Sequence, residues 1–481
     1  MEILDQLGLS DAPRTVKLKE LLLDTGEEAK DNLQVLAGVL QGRIDEGHGE
    51  TIFDLGLEDG GDTMGFDPAQ WDAALQRLRE AAGTLPAHDK ILVTHNVGGP
   101  QESLTKNERI KGAWGKVLLR QPADSVEELA EIRVAVVGNV DAGKSTMLGV
   151  LVKGNLDDGR GKARVNLFRH KHEVESGRTS SVGMEIMGFN SHGEIVGSSH
   201  ARKMSWEDIG KRSAKVISFS DLAGHERYLR TTVFGMLGGS PNYCLLMVAA
   251  NNGLIGMSRE HLGIALALNV PVMVIITKID ICPPQILQET INQLTKILKS
   301  PGARKIPIFV SDMETTIHTA TQMVSQRICP IFQVSNVTGE NLDLVRTFLN
   351  ILPHRGHYNP DGSFEFLIND TFSVPHVGTV VSGVVKSGVI HAGDTVLVGP
   401  DSLGQFTTTT IKSIERKRIQ VTACFAGQSG SFALKRVRRK EVRKGMVVLK
   451  KMDQPPKVFK EFVAEGKLSY QIYCAHLPEL N

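Results

Sequence analysis

The chain has 481 residues, with 55 Lys+Arg against 54 Asp+Glu for a formal net charge of +1, 41% hydrophobic residues and 48 glycines. That length suits about three domains with cores of their own, and the composition excludes a polycation, a polyanion, a collagen-like repeat and a disordered chain. The longest apolar stretch, Leu262 to Ile276, is interrupted by Gly263, Asn269 and Pro271 and reads as a buried helix followed by a strand, not a bilayer span.

The N-terminal string MEILDQLGLSDAP carries acids where a signal peptide needs a basic flank and an apolar run, so a cytoplasmic location is expected. Residues 1–70 hold 16 acids against 5 bases, a net of −11. Within 1–128 the patterning predicts one amphipathic helix around Leu18 to Ile44, a strand near Thr51 to Leu57, a helix from Pro68 to Ala82 and a strand near Lys90 to His95. This is a small acidic α+β module without a motif. Its open readings are a structural role, partner docking, or autoinhibition in which its acidic face covers a basic surface elsewhere.

Residues 129–356 form the next region. The runs RVAVVG, AKVISFSD, YCLLMVAA, VPVMVIITKID and PIFQVS alternate with helical patterns, which predicts a mostly parallel sheet with helices on both faces. Its first strand leads into Gly138, Asn139, Val140, Asp141, Ala142, Gly143, Lys144 and Ser145, the GxxxxGK[ST] phosphate loop, with Thr146 opening the helical run after it. Glycines let successive N–H groups and a helix N-terminus surround phosphates. Lys144 then supplies a point charge between the β- and γ-phosphates and Ser145 a hydroxyl for Mg²⁺. Asp141 either orients loop amides or holds a cation, or is purely structural. Downstream, Arg160 to Arg178 is rich in Arg, Lys and His, and reads as either an RNA-contacting segment or a solvated loop; His170 and His172 alternate like a strand, which argues against a helical zinc pair.

The motif Asp221-Leu222-Ala223-Gly224 closes the AKVISF strand, where a carboxylate can bind Mg²⁺ through water and Gly224 can offer its N–H to a γ-phosphate. His225 follows, either a capping residue or the group that orients the attacking water. Thr277-Lys278-Ile279-Asp280 ends the VPVMVII strand. Asp280 there can accept from both N1–H and the exocyclic amine of guanine, which adenine cannot match, while the Lys278 stem packs on the ring. Thr277 stands where Asn is usual, so weaker hydrogen bonding at that position is expected without loss of guanine preference. Ser335, Asn336 and Val337 end the PIFQVS strand and place backbone N–H groups toward guanine O6. These motifs, in this order and each at a strand's C-terminal end, specify GTP.

Residues 357–450 hold short alternating strands with glycine punctuation and predict an antiparallel β-barrel. Ile411 to Lys451 carries 13 Lys+Arg against two acids, and the runs Glu415-Arg416-Lys417-Arg418 and Lys435 to Lys440 suit a polyphosphate backbone, with a solvated barrel face as the plain alternative. Residues 451–481 are too short for another domain. The five cysteines, Cys244, Cys282, Cys329, Cys424 and Cys474, form no CxxC pair and support neither a disulfide framework nor a zinc site.

GNVDAGKS, DLAGHERY, TKID, SNVTG and FSVPHVGTVVSG together resemble translational GTPases related to elongation factors Tu and 1-alpha, and within them the GTP-binding protein 1 and 2 branch, over about residues 30 to 450. The resemblance implies a first switch in Phe168–Gly183 whose Thr179, with Ser180 as runner-up, reaches Mg²⁺ and the γ-phosphate. It also implies a second switch over 221–235 with His225 as catalytic histidine. The catalytic set is then His225, Thr179 and Lys144, and the metal set Ser145, Thr179 and Asp221. The second domain would pack on the switches and contact the ribosome or the acceptor end of tRNA. Two residue-level departures stand out: the family continues into a third domain, of which 451–481 would be a remnant, and Ala223 replaces a common Pro.

The expected mechanism has γ-phosphate contacts ordering both switches, the second domain changing its angle, and ribosomal RNA pressing His225 toward the attacking water. The expected function is GTP hydrolysis in an elongation-factor-like role on ribosome and tRNA. The alternative is a GTP-switched RNA-binding adaptor in mRNA turnover or ribosome rescue. Nothing points to DNA, to a membrane or to more than a monomer; the closing HLPELN has no lipidation cysteine.

Overall fold

The structure is a computed structural model that describes residues 17–24, 26, 29–98, 112–165, 167, 173, 179, 182–197, 204–325, 327–355, 358–452, 454, 456–459 and 461. It separates into two compact units, residues 1–122 with 191–194, and residues 123–190 with 195–481.

In the first unit, α1 (Leu18–Leu23), α2 (Ala29–Glu46) and α3 (Pro68–Thr84) pack on an antiparallel sheet of β1 (Glu50–Leu55), β2 (His88–His95) and β3 (Trp114–Arg120), ordered β1-β3-β2. Leu36, Leu40 and Ile44 of α2 and Trp71, Leu75 and Leu78 of α3 meet Phe53, Leu55, Val117 and Leu119 of the sheet. The single helix expected over 18–44 is two. The chain turns extended at Asp24 (ψ 126°), whose carboxylate accepts from Gly26 N and Asn32 Nδ2, a local competition that ends a helix whatever the apolar spacing. Strand β3 had no alternation to reveal it, because both of its faces are largely covered. Gly115 within it lies where a Cβ would stand 2.7 Å from Cη2 of Trp71, so the glycine admits the indole. Asp67 opens α3 with a capping box to Gln70 and Pro68 in the first turn.

The second unit begins with an eight-stranded sheet ordered β10-β11-β9-β8-β4-β7-β5-β6. These are β4 (Ala130–Gly138), β5 (Gly183–Phe189), β6 (Ile195–Val196), β7 (Lys215–Asp221), β8 (Tyr243–Ala249), β9 (Val272–Thr277), β10 (Ile306–Val310) and β11 (Ile328–Gln333). The six strands from β10 to β7 run parallel, while β5 and β6 extend the edge antiparallel. Between the strands come α4 (Lys144–Lys153), α5 (Lys162–Val165), α6 (Trp206–Arg212), α7 (Leu229–Gly239), α8 (Met257–Ala267), α9 (Pro284–Leu298), α10 (Met313–Gln322) and, after β11, α11 (Leu342–Ile351). The apolar stretch 262–276 is the end of α8 followed by β9, as its interruptions imply. Parallel strands buried on both faces read as continuous apolar runs, which is why β4, β8 and β9 stood out and the edge strands β5, β6 and β10 did not.

The barrel follows. Strands β12 (Glu365–Val374), β13 (Gly378–Ser387), β15 (Thr395–Gly399), β16 (Thr407–Arg416), β19 (Ser429–Leu434) and β20 (Val447–Lys450) pair in the order β15-β20-β12-β13-β19-β16, and β16 returns to β15 to close the ring. β14 (Val389–His391) pairs with β18 (Ala423–Phe425), and β17 (Ile419–Val421) extends β16.

The basic barrel surface needs one correction. Arg416 and Lys417 are buried, 0% and 8% exposed, at the end of β16 and in the turn that follows it, where they cannot meet a phosphate backbone. Lys417 Nζ reaches Glu131 Oε1 at 2.5 Å and Ser218 Oγ at 2.7 Å; Arg416 Nη1 donates to the carbonyls of Val126 and Glu127. Burial pushes the Glu131 carboxyl up, but Lys417, Arg416 and Arg133 outweigh it and hold the group well below the usual carboxylate range. The run 435–440, apart from Val437, remains exposed. Among the described residues no helix is long and apolar enough to cross a membrane.

Candidate nucleotide site

The phosphate loop joins β4 to α4, and its backbone takes conformations that constrain its residues. Gly138 has φ +146° and a Cβ there would stand 2.4 Å from the Met247 carbonyl oxygen. Gly143 has φ +82°, and Asp141, exposed, holds φ +59° without a glycine's freedom. Lys144, 7% exposed, donates to the carbonyls of Gly138 at 3.1 Å and Asn139 at 2.8 Å. Burial pushes its pKa down to about 8, against the pull of Asp221 and Asp141. Gly224 lies where a Cβ would stand 2.4 Å from Lys144 Nζ and 2.6 Å from the Gly138 oxygen, so this position, three residues after β7, must be glycine for the lysine to lie here.

Ser145 Oγ donates to Asp221 Oδ2 at 2.6 Å and lies 2.9 Å from Thr179 Oγ1. Asp221 is pushed up to about 6, first by burial, with the Ser145 hydrogen bond and Lys144 opposing and Glu173 and Glu185 adding. Its Oδ1 is buried without a hydrogen-bond partner. Two hydroxyls and a carboxylate with one orphaned oxygen form the kind of oxygen-donor set that Mg²⁺ takes together with phosphate oxygens and water. Among the described residues no cluster of three His, Cys, Asp or Glu offers a self-sufficient metal cage. The residues present therefore fit a magnesium ion shared with a polyphosphate.

An open pocket is lined by Val140, Asp141, Gly143 to Thr146, Arg164, Thr179, Gly224 and His225. His225 Nδ1 accepts from Arg227 N at 3.1 Å, and the histidine caps the short 3-10 turn Glu226–Tyr228. The two readings of His225, cap and cavity-lining group, are thus compatible. Of the expected first switch, 168–183, Thr179 is described with Glu173, Val182 and Gly183; Ser180 and the basic positions 169–172 and 178 lie outside the described residues.

The base-reading strings sit at neighbouring strand ends. Thr277 Oγ1 donates to the Ala142 carbonyl at 3.0 Å, so the threonine that replaces asparagine ties β9 to the phosphate loop. Lys278 has φ +62° and Asp280 is exposed. Ser335 Oγ accepts from the N–H groups of Val337 and Thr338, and Asn336 O accepts from Asp157 N. The buried Oδ1 of Asn336 has no partner.

Two contributors to the loop gave no motif. On α8, Ser258 Oγ accepts from Asn139 N at 2.8 Å and His261 Nδ1 accepts from Gly138 N at 3.1 Å. Burial, and then the charge of Lys144, push the His261 pKa down to about 3, against the Gly138 hydrogen bond, so it is neutral and an acceptor. Their i, i+3 spacing on an apolar helix was the available signal.

Residues 130–354 match the family model of the elongation factor Tu GTP binding domain, and 378–449 that of elongation factor Tu domain 2. The chain is 48% identical over 463 residues to GTP-binding protein 1 of Xenopus laevis, covering 96% of this chain and 68% of that protein. It is 41% identical over 429 residues to GTP-binding protein 2 of Homo sapiens, covering 88% and 69%. The selenocysteine-specific elongation factor of Escherichia coli is 25% identical over 264 residues, 55% of this chain and 33% of that one. Among solved structures, a bacterial selenocysteine-specific elongation factor superposes with a TM-score of 0.50 at 20% identity, covering 67% of this chain and 45% of that chain, a likeness of fold. The chain spans less than half of that solved protein and about two thirds of the two GTP-binding proteins. With its GTP-binding domain, its barrel and its identity to both GTP-binding proteins, the chain belongs to the translational GTPases of elongation factor Tu type, in the GTP-binding protein 1 and 2 branch.

Proposed function

We propose that this chain binds GTP with Mg²⁺, hydrolyses it to GDP and phosphate, and does so as an elongation-factor-like switch on ribosome and tRNA. The carrying observation is the meeting of Ser145, Thr179 and Asp221 beside the buried Lys144 in a cavity that His225 also lines. In this reading the backbone of 138–146 and Lys144 hold the phosphates, while Ser145, Thr179 and Asp221 hold the metal. Held by those three residues, a magnesium ion would supply charge neutralisation to the phosphate oxygens. Gly224 offers its N–H to the γ-phosphate, and Thr277, Lys278, Asp280 and 335–337 hold guanine.

His225 orients a water for in-line attack at the γ-phosphorus. The water oxygen bonds to phosphorus as the bond to the β–γ bridging oxygen breaks; GDP leaves with that electron pair and the water protons end on phosphate and solvent. Positioning alone leaves such enzymes slow, roughly 10⁻⁴ to 10⁻² s⁻¹, so a partner sets the working rate. Support for the ribosome as that partner comes from the domain 2 match and from the exposed basic run Lys435, Arg436, Arg438, Arg439 and Lys440, which suits RNA.

The test is GTP hydrolysis by the purified chain, alone and with ribosomes, each with and without aminoacyl-tRNA. Stimulation that requires ribosomes is expected. Hydrolysis that stays at the basal rate in every mixture, with mRNA binding that ignores aminoacylation, would replace this reading by the RNA-binding adaptor.

A further inference from the structure

The short segment between α4 and the first switch is built as a rigid platform. Asp157, 8% exposed, accepts through Oδ2 from Gly159 N and Gly161 N, both at 3.1 Å, and through Oδ1 from Ala163 N at 2.9 Å. Asp158 Oδ1 accepts from Arg160 N and Lys162 N. Two carboxylates thus satisfy five backbone donors within seven residues, a density that fixes the local backbone.

The platform is fastened at both ends of the nucleotide site. Toward the base-reading strings, Asp157 N donates to Asn336 O at 2.9 Å. Toward the phosphate loop, α5 lies so close to α4 that a Cβ on Gly149 would stand 2.1 Å from the Ala163 carbonyl oxygen. Arg164 stands on this platform. Its side chain passes over Gly161, where a Cβ would lie 2.6 Å from Nε, and it lines the same cavity as Lys144, Ser145, Thr179, Gly224 and His225. Among the described residues its guanidinium has neither an ion pair nor a hydrogen bond. A half-buried, unspent guanidinium held by a braced loop over a phosphate cavity is an arrangement for bidentate contact with phosphate oxygens.

We propose that Arg164 is a catalytic residue of this GTPase, an arginine supplied in cis whose guanidinium contacts the non-bridging oxygens of the triphosphate and stabilises the charge that develops as the bond to the β–γ bridging oxygen breaks. The proposal rests on the GTPase reading above. GTPases with such an arginine in their own chain turn over about 30-fold faster than those that await one from a partner, which sets the size of the effect.

The test compares wild type with Arg164→Ala and Arg164→Lys in the full chain: single-turnover GTP hydrolysis, affinity for fluorescent GTP and GDP analogues, and formation of the GDP–aluminium fluoride complex. Expected are a rate loss of about 30-fold or more in both variants, GTP and GDP affinities within about threefold of wild type, and loss of the aluminium fluoride complex. Lys fails to restore the rate because a point charge lacks the planar fork. Wild-type hydrolysis in Arg164→Ala, or a rate loss matched by equal losses of GTP and GDP affinity, would overturn the role of Arg164 while leaving the GTPase reading in place. A wild-type chain that binds no GTP would sink both.

Discussion

Replacing Lys417 by Met tests whether the buried ion cluster fixes the barrel to the GTP-binding domain. Glu131 is 4% exposed and accepts from Lys417 Nζ, Ser218 Oγ and Ser429 Oγ, the two hydroxyl bonds at 2.7 Å, while Arg416 Nη2 lies farther off at 3.7 Å. Lys417→Met leaves that carboxylate buried with hydroxyls and the more distant guanidiniums of Arg416 and Arg133. Removing one partner of a buried pair costs about 3–5 kcal/mol, since the surviving charge has no route to water. At about 2 °C per kcal/mol for a unit of this size, the melting temperature should fall by roughly 6–10 °C. Glu131→Gln with Lys417→Met removes both charges and should recover at least half of the loss, the non-additivity of a paired site. Because Glu131 is held below its ordinary range, its contribution in wild type is full above the unfolded carboxylate pKa and is lost only as pH falls from there toward its much lower folded pKa. In Lys417→Met the carboxyl is free to take a proton, so the gap between the proteins should be widest at neutral pH and narrow toward pH 4. Thermal melts of wild type, both single variants and the double variant between pH 4 and 7.5 decide this. A single-variant cost under about 1 kcal/mol, or a double-variant cost equal to the sum of the singles, would refute the clamp.

Three further outcomes are expected. In His225→Ala, partner-stimulated hydrolysis should drop by about 100-fold or more with GTP affinity unchanged, and a variant that keeps the stimulated rate would remove His225 from the mechanism. GTP affinity with Mg²⁺ should be flat between about pH 6, where Asp221 gains its proton, and about pH 8, where Lys144 loses one, and fall on either side; titration calorimetry showing affinity constant from pH 5 to 9 would contradict both assignments. His261→Ala leaves the Gly138 amide buried and unpaired, which costs about 1–3 kcal/mol. It should weaken GTP and GDP alike by tenfold or so, and unaltered affinity for both would show that the loop holds its shape without α8.

The phosphate-facing half of the site was legible because it is written in contiguous strings at the ends of buried strands. Backbone cradles need glycines at fixed offsets, and the carboxylate and lysine sit where the loop puts them, so Lys144, Ser145, Asp221 and Gly224 were readable in order. Arg416 and Lys417 were misread because sequence charge carries no depth: a solvated basic run and a buried pair look alike until the partner, Glu131, nearly 300 positions earlier, is placed beside them. Ser258 and His261 were missed for a related reason. They bond the loop through tertiary packing of α8, and their own helix has no local need of a hydroxyl or an imidazole. Arg164 was seen only as one basic residue among many, since what distinguishes it is the carboxylate bracing of the backbone beneath it.

Strand β4 is where these observations meet. Glu131 and Arg133 project from one face near its start and grip the barrel, Glu131 through Lys417, Arg133 through the Gly427 carbonyl and the Tyr358 hydroxyl at 2.6 Å. Its end, Gly138, opens the phosphate loop. The barrel is therefore fastened to the same rigid element that presents the nucleotide, and that fastening alone carries no information about the γ-phosphate. A second set of contacts runs through α7, which follows Gly224 and His225. Asn369 of the barrel donates to the Gly238 carbonyl at 2.7 Å, Lys386 donates to Ser240 Oγ, and Arg133 Nε donates to the Ser240 carbonyl at 3.0 Å. A Cβ on Gly238 would stand 2.6 Å from Asn369 Oδ1, so α7 cannot slide there without moving the barrel strand or breaking the contact. Any shift of α7 on loss of the γ-phosphate thus works against the β4 clamp. The barrel's response depends on which of the two yields, and a weakened clamp in Lys417→Met should let it follow α7 more freely.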